Sequence, residues 1–222
     1  MALFAIGDVH GCLTALETVW DAAAPHPGDT VVFLGDYVDR GPDTRGVLQW
    51  LHEKQQTHRL VMLRGNHDLM MMSARRHMPD LRMWLDVGGL AVLDSYGIGD
   101  DLRWHEHVPA EHWRLLEATH PYHREGNVHF VHATLTPGVP LKKQSDEALY
   151  WEKLQDPAPY APDALVVCGH TAQRSGQIAD FGHTVCIDTF VYGDGYLTCF
   201  EVESGRYWQA NQQGEVGGPF VR

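Results

Sequence analysis

Four cysteines in 222 residues, none in a C-x-x-C pair, leave the chain without a thiolate zinc motif or a secreted disulfide framework. Cys168, Cys186 and Cys199 fall in apolar, β-rich runs, where cysteine acts as a small hydrophobe. A reduced, cytoplasmic chain is therefore expected. Long apolar runs are missing too: none approaches the ~20 residues of a membrane-spanning helix. The first residues lack the basic segment of a secretory leader. Cationic excess is absent, with 17 Lys and Arg against 29 Asp and Glu for a net charge of −12. That balance argues against a nucleic-acid backbone as the main partner. No internal repeat, low-complexity tract or flexible linker divides the chain, so a single domain over 1–222 is expected.

Three short stretches of one design organise the chain. Leu3 to Ile6 runs into Gly7-Asp8-Val9-His10-Gly11. Val31 to Leu34 runs into Gly35-Asp36-Tyr37-Val38-Asp39-Arg40-Gly41. Leu60 to Leu63 runs into Arg64-Gly65-Asn66-His67-Asp68. Each is an apolar strand-like run that ends on glycine and a polar, ligand-type residue. Their spacing suits a strand, a crossover helix and a further parallel strand. Parallel strand ends meet on one side of a sheet, so Asp8, His10, Asp36, Asn66 and His67 are expected to converge. Carboxylates gathered this way repel unless a cation neutralises them, and divalent metal does so better than Arg40 alone.

Leu13, Leu16, Val19 and Trp20 recur at helical spacing before Pro25, and Val47, Leu48 and Leu51 mark a second helix. A third is expected from Asp68 to His77, with Met70, Met71 and Met72 read as core. Residues 73–127 break the strand–helix rhythm and are read as an inserted helical subdomain, with a helix over Pro109 to Thr119 and a turn at Gly97 to Asp100. Strands resume at Val128 to His132, Leu165 to Cys168, Val185 to Thr189 and Tyr196 to Val202. Glu203 to Arg222 reads as a polar tail. His129, out of phase with His132, is assigned a surface or core role.

The three stretches resemble the signatures of the phosphoprotein phosphatase family of binuclear metallophosphatases, most of all its small bacterial and phage members of the bacteriophage lambda type. The likeness extends through the later histidine stretches to about residue 188. It implies an α/β metallophosphatase fold, a central β-sandwich flanked by helices. By the resemblance, Asp8 and His10 hold one metal ion, Asn66, His132 and His170 the other, and Asp36 bridges them, in a centre with ions about 3.5–4 Å apart. A water shared by two such ions would attack phosphorus in line. Arg40 and Arg64 would clamp phosphoryl oxygens. His67 would protonate the leaving oxygen, oriented by Asp39. Manganese is the family expectation, while nitrogen and oxygen ligands also admit iron, zinc, cobalt or magnesium.

Two departures stand out. Asp68 takes the place of the family's usual glutamate. The third phosphate-binding arginine, usual between the last two metal histidines, is missing, since no arginine lies between Ala133 and Gly169. Lys153 is its expected substitute, with Lys142 and Lys143 as rivals. The expected activity is phosphomonoester hydrolysis by a protein serine/threonine phosphatase, with phosphotyrosine and small phosphate esters as further substrates. Dinucleoside polyphosphate hydrolysis is the second reading, against which the presence of Asp39 counts. A metal-binding protein with a dead centre is the third, and the intact ligand set, His67 and both arginines weigh against it.

Overall fold

Two sheets packed face to face form the centre of the molecule, described here from a computed structural model covering residues 1–99 and 101–222. The first sheet starts from β1 (Leu3–Ile6), α1 (Leu13–Ala23), β2 (Thr30–Phe33), α2 (Thr44–Lys54) and β3 (Arg59–Met62). These three strands are parallel, joined by the two expected crossover helices. Then come α3 (Asn66–Ala74), α4 (Met78–Trp84), α5 (Leu90–Tyr96) and α6 (Ala110–Glu117). The second sheet is built from β4 (Tyr122–Glu125), β5 (Val128–Val131), β6 (Leu165–Cys168), β7 (Ala179–Asp180) and β8 (Thr184–Cys186). Its order is β4-β5-β6-β8-β7, with β5, β6 and β8 parallel. The chain then returns to the first sheet through β9 (Asp188–Thr189), β10 (Tyr196–Glu201), β11 (Arg206–Ala210) and β12 (Val216–Val221). β10 lies antiparallel beside β1, giving the order β12-β11-β10-β1-β2-β3 with β9 on β10.

Side-chain alternation along the strands explains the layers. Leu3 and Ala5 of β1, with Val32 on β2 and Leu34 just after it, point inward to meet Val128, Phe130, Val167 and Val185 of the other sheet. Phe4, Ile6, Val31 and Phe33 point outward under α1 and α2, against Leu16, Val19, Val47 and Leu48. On the far side Val131, Val166, Cys168 and Cys186 pack beneath Leu149, Tyr150 and Leu154. Every strand of the centre thus carries two buried faces, which is why these runs are almost wholly apolar.

Two expectations change. The tail from Glu203 contains β11 and β12, and Tyr207 and Trp208 are buried. Its short apolar stretches, interrupted by Gly217 and Gly218, hid the pattern. The helical insertion read over 73–127 also ends sooner than expected, because Tyr122–Glu125 pairs with β5 as an edge strand of the second sheet. Within it, α4 and α5 are joined by a turn over Leu85–Gly89 that breaks at Gly88, whose φ is 131°. Trp84, Trp104 and Trp113 form its core, the first two with ring centres 4.6 Å apart. Gly97 closes α5 in the left-handed conformation, and Asp100 of that expected turn lies outside the described residues. Met70 and Met71 are buried, as the core reading required. His129 is also buried, its Nδ1 3.1 Å from the Asn127 carbonyl.

Candidate active site

All the parallel strands of both sheets end on the same edge, and the segments leaving β1, β2, β3, β5 and β6 bring their polar residues together there. Two donor clusters form, His10 with Asp36 and His67, and Asp36 with His132 and His170, each with ligand atoms within 4.8 Å of one another. Asp36 belongs to both. Its Oδ2 lies 3.5 Å from His10 Nε2 and 3.6 Å from His132 Nε2. Asp8 approaches from β1, its carboxylate accepting the His170 N–H at 3.0 and 3.2 Å. Asn66 stands between the two later histidines, its Oδ1 3.0 Å from His132 Nε2 and 2.9 Å from His170 Nδ1.

The far nitrogens of the rings decide what these close approaches mean. His10 Nδ1 donates to the Val38 carbonyl, His132 Nδ1 to Leu34 and His170 Nε2 to Trp151, at 2.9–3.0 Å. With each N–H committed to the main chain, the inward nitrogens present bare lone pairs. At His132 and His170 those lone pairs face the Asn66 oxygen, an arrangement that an electron-pair acceptor among them would satisfy. Burial lowers the proton affinity of all three rings, with His10 and His170 brought down to about 3, so they stay neutral and available as ligands. The two carboxyls respond in opposite directions. Burial, then Asp188 and Asp36, push Asp8 upward. Burial also acts to raise Asp36, but the facing His132, His67 and His10 outweigh it and hold that carboxyl well below its usual range. A buried set of nitrogen and oxygen donors sharing one carboxylate fits a pair of divalent cations, whose charge would offset the repulsion that raises Asp8.

Backbone geometry holds this set under strain. His10, Asp36, Asp39, Arg40 and His170 all have positive φ, between 45° and 73°. Such conformations cost about 1–3 kcal/mol each and persist where the surroundings over-determine them. Part of that determination comes from glycine. A Cβ on Gly65 would fall on the Asp36 carboxylate, and one on Gly169 on that of Asp8. Asp68 provides another part. Its buried carboxylate accepts N–H groups from Asp36, Tyr37 and Gly65 at 2.8–3.0 Å, pinning the Asp36 loop while closing the first turn of α3. The change from glutamate to Asp68 therefore sits at the support of the shared carboxylate.

Beside the donors, His67 Nδ1 donates to Asp39 Oδ2 at 2.6 Å, and its Nε2 accepts from Arg40 at 2.9 Å. The other Asp39 oxygen accepts the indole N–H of Trp84 at 2.8 Å. Gly88 accepts the Arg40 N–H, so the helical region supports both residues of the Asp39-Arg40 pair. A lone tryptophan in an irregular stretch gives no such signal in sequence. The remaining basic candidates differ. Lys153 reaches the site, its Nζ donating to the His170 carbonyl at 2.8 Å. Arg64 is half-buried, its Nε and one terminal nitrogen donating to Thr119 and to the main chain at Glu117 and Thr119. Lys142 and Lys143 lie on an exposed turn at Leu141–Lys143.

Asp188 and Tyr192 join the site without having been singled out beforehand. Asp188 is buried, with its carboxyl pushed up to about 6 by burial. Tyr192 meets His10 edge-on at 4.8 Å and lies under the Arg40 guanidinium at 4.4 Å. The run of Asp188 to Tyr192 at a strand exit was the available signal.

Residues 1–195 match the family model described as calcineurin-like phosphoesterase. The symmetrical bis(5'-nucleosyl)-tetraphosphatase of Pseudomonas fluorescens (strain Pf-5) is 29% identical over 164 residues, 71% of this chain and 52% of that protein. Its counterpart in Pseudomonas syringae pv. syringae (strain B728a) is 31% identical over 158 residues, 70% of this chain and 50% of that protein. The chain thus spans about half the length of the curated relatives it matches. A solved structure of a candidate diadenosine tetraphosphatase superposes with a TM-score of 0.69 at 21% identity, covering 92% of this chain and 90% of that one, a likeness of fold. These relatives overturn the expected protein serine/threonine phosphatase and favour the dinucleotide reading. Asp39 misled because its contacts are with His67 and Trp84, which say nothing about what lies beyond the scissile bond. Among the described residues no helix is long and apolar enough to cross a membrane.

Proposed function

Because the chain belongs to the calcineurin-like phosphoesterase family, whose members use a binuclear divalent metal centre, we propose that it hydrolyses dinucleoside polyphosphates of the diadenosine tetraphosphate class. The observation that carries the substrate is the likeness, over about 70% of this chain, to proteins named symmetrical bis(5'-nucleosyl)-tetraphosphatases. Asp8 and His10 would hold one cation, Asn66, His132 and His170 the other, with Asp36 between. The pair, when bound, supplies Lewis-acid activation of the phosphoryl group and of water.

The chain's own residues do the rest. Arg40 meets the oxygens of the attacked phosphoryl group, turning its guanidinium from His67 Nε2 to the substrate. Once released, Nε2 takes a proton from solvent, which makes the ring an imidazolium, and gives that proton to the leaving oxygen, which returns the ring to its neutral form. Asp39, buried and bonded to Nδ1, keeps the ring oriented and stabilises its protonated form. Lys153, tethered to the His170 carbonyl, adds positive charge beside the later histidines. A phosphoanhydride is within reach of this apparatus, because its leaving group is itself a phosphate with a pKa near 6.

Chelator-treated protein, reloaded with manganese or magnesium, should cleave diadenosine tetraphosphate, and anion-exchange chromatography identifies the products. A symmetrical cut gives ADP alone. No cleavage, or faster phosphate release from a phosphoserine peptide, would overturn the proposal.

A further inference from the structure

From Arg40 a row of two rings and a second guanidinium continues, none of which the mechanism above uses. Arg40 Cζ stands 4.4 Å from the centre of the Tyr192 ring. Tyr192 meets Phe190 edge-on at 4.7 Å. Over Phe190, at 5.1 Å, lies Arg174, four residues beyond His170 on the segment leaving β6. Both rings are half-buried, whereas Arg40 and Arg174 are exposed. The chain carries 29 acidic residues, yet neither guanidinium is paired with a carboxylate among the described residues.

The row is held in place. Phe190 has a φ of 65°, a conformation in which a bulky side chain is strained. Its N–H donates to Asp188 Oδ1 at 3.1 Å, and its carbonyl accepts from Gly193 and Gly195 at 3.1 and 3.2 Å. Gly193 lies directly against the Phe190 ring, where a Cβ could not fit. Three constraints thus fix one strained residue, and the result is a ring set beneath an arginine. Stacking on a ring face orients a guanidinium while leaving its N–H edge free for the oxygens of a phosphate.

We propose that Arg174, carried on Phe190 and Tyr192 in line with Arg40, forms a second anion subsite that holds a phosphate of the substrate beyond the one attacked. This inference rests on the polyphosphate reading of the active site and deepens it. Arg40 takes the reacting phosphoryl group, Arg174 takes a more distant one, and a substrate with a single phosphate engages only the first. The subsite lies on the segment after the last metal histidine rather than between the last two, where the missing arginine was sought.

The test is calorimetric binding of two ligands with metal in excess, orthophosphate and the non-hydrolysable methylene-bridged analogue of diadenosine tetraphosphate. Arg174→Ala should weaken the analogue about tenfold, the equivalent of one charge-assisted contact, while orthophosphate shifts less than twofold. Phe190→Leu, which removes the platform and keeps the charge, should weaken the analogue about threefold. Equal shifts for both ligands, or none in Arg174→Ala, would overturn the subsite. Hydrolysis separates this from the activity itself. Parent protein that binds the analogue through Arg174 yet leaves diadenosine tetraphosphate intact upholds the subsite and refutes the proposed function. Protein that cleaves the dinucleotide with an Arg174-independent affinity does the reverse.

Discussion

Asp68→Asn tests how the shared carboxylate is held. The native carboxylate accepts three main-chain N–H groups, two on Oδ2 from Asp36 and Gly65, and one on Oδ1 from Tyr37. Asparagine keeps one oxygen, so at least one N–H faces an NH2 group. A bond to a charged acceptor is worth about 1.5–3 kcal/mol, and the two that survive fall to the neutral value of about 0.5–1.5 kcal/mol. Against this stands a relief. Burial and the nearby Asp36 push the Asp68 carboxyl upward, and removing its charge removes that repulsion. The net loss should be about 2–4 kcal/mol, which for a domain of this size lowers Tm by roughly 5–15 °C. Scanning calorimetry of metal-free protein measures it without interference from bound ions. Metal content after dialysis should fall as well, because the Asp36 N–H loses its anchor. If Tm moves by less than about 2 °C, the carboxyl already carries a proton in the folded chain. The account of Asp68 as an anionic anchor would then be wrong.

Trp84→Phe keeps the stack on Trp104 but removes the N–H bonded to Asp39, and should cost about 1.5–3 kcal/mol in thermal stability together with a several-fold loss of kcat; unchanged kcat would separate Trp84 from the proton-handling pair. Gly169→Ala places a methyl group on the Asp8 carboxylate, so elemental analysis should find fewer than two bound ions; full occupancy would refute the close approach. His112, buried between Tyr96 and Gln49, gives a pH effect away from the metal ligands. Its pKa is lowered by burial, opposed by Glu111 and reinforced by His52 and Arg45. Below the ordinary value of about 6.5 the unfolded chain takes up the proton first, so stability falls as pH drops through 6.5 toward the lower folded value. Tm in His112→Gln should therefore decline less steeply between pH 7 and 5, and identical slopes would exclude His112 as a source of the loss.

The strand-end convergence was legible because it rests on two local facts, apolar runs and the glycine that follows each. Parallel crossovers do the rest, and Asp8, His10, Asp36, Asn66 and His67 arrive together as the spacing required. The left-handed conformations of His10, Asp36, Asp39, Arg40 and His170 were not legible, since none of these residue types demands one. They follow from tertiary bonds such as those of Asp68, which join segments about thirty residues apart. Trp84 escaped for the same reason, reaching Asp39 from a helix whose sequence gives no hint of its partner.

Substrate choice escaped for a different reason. The motifs write what the proposed chemistry would share among all phosphoesters, metal donors, a clamp and an acid. What distinguishes a monoester from a polyphosphate is whatever holds the second and third phosphates, and those lie beyond the strand ends. Arg64, written inside a motif, bonds Thr119, whereas Arg174, written outside every motif, rests on a ring beside the one beneath Arg40. Position in a motif therefore does not by itself say which arginine meets a phosphate, and the loops that leave the strands decide what hangs from the reacting one. Where a chain keeps the metal ligands intact and lacks an arginine the family usually supplies, the replacement is best sought along the direction in which the substrate extends.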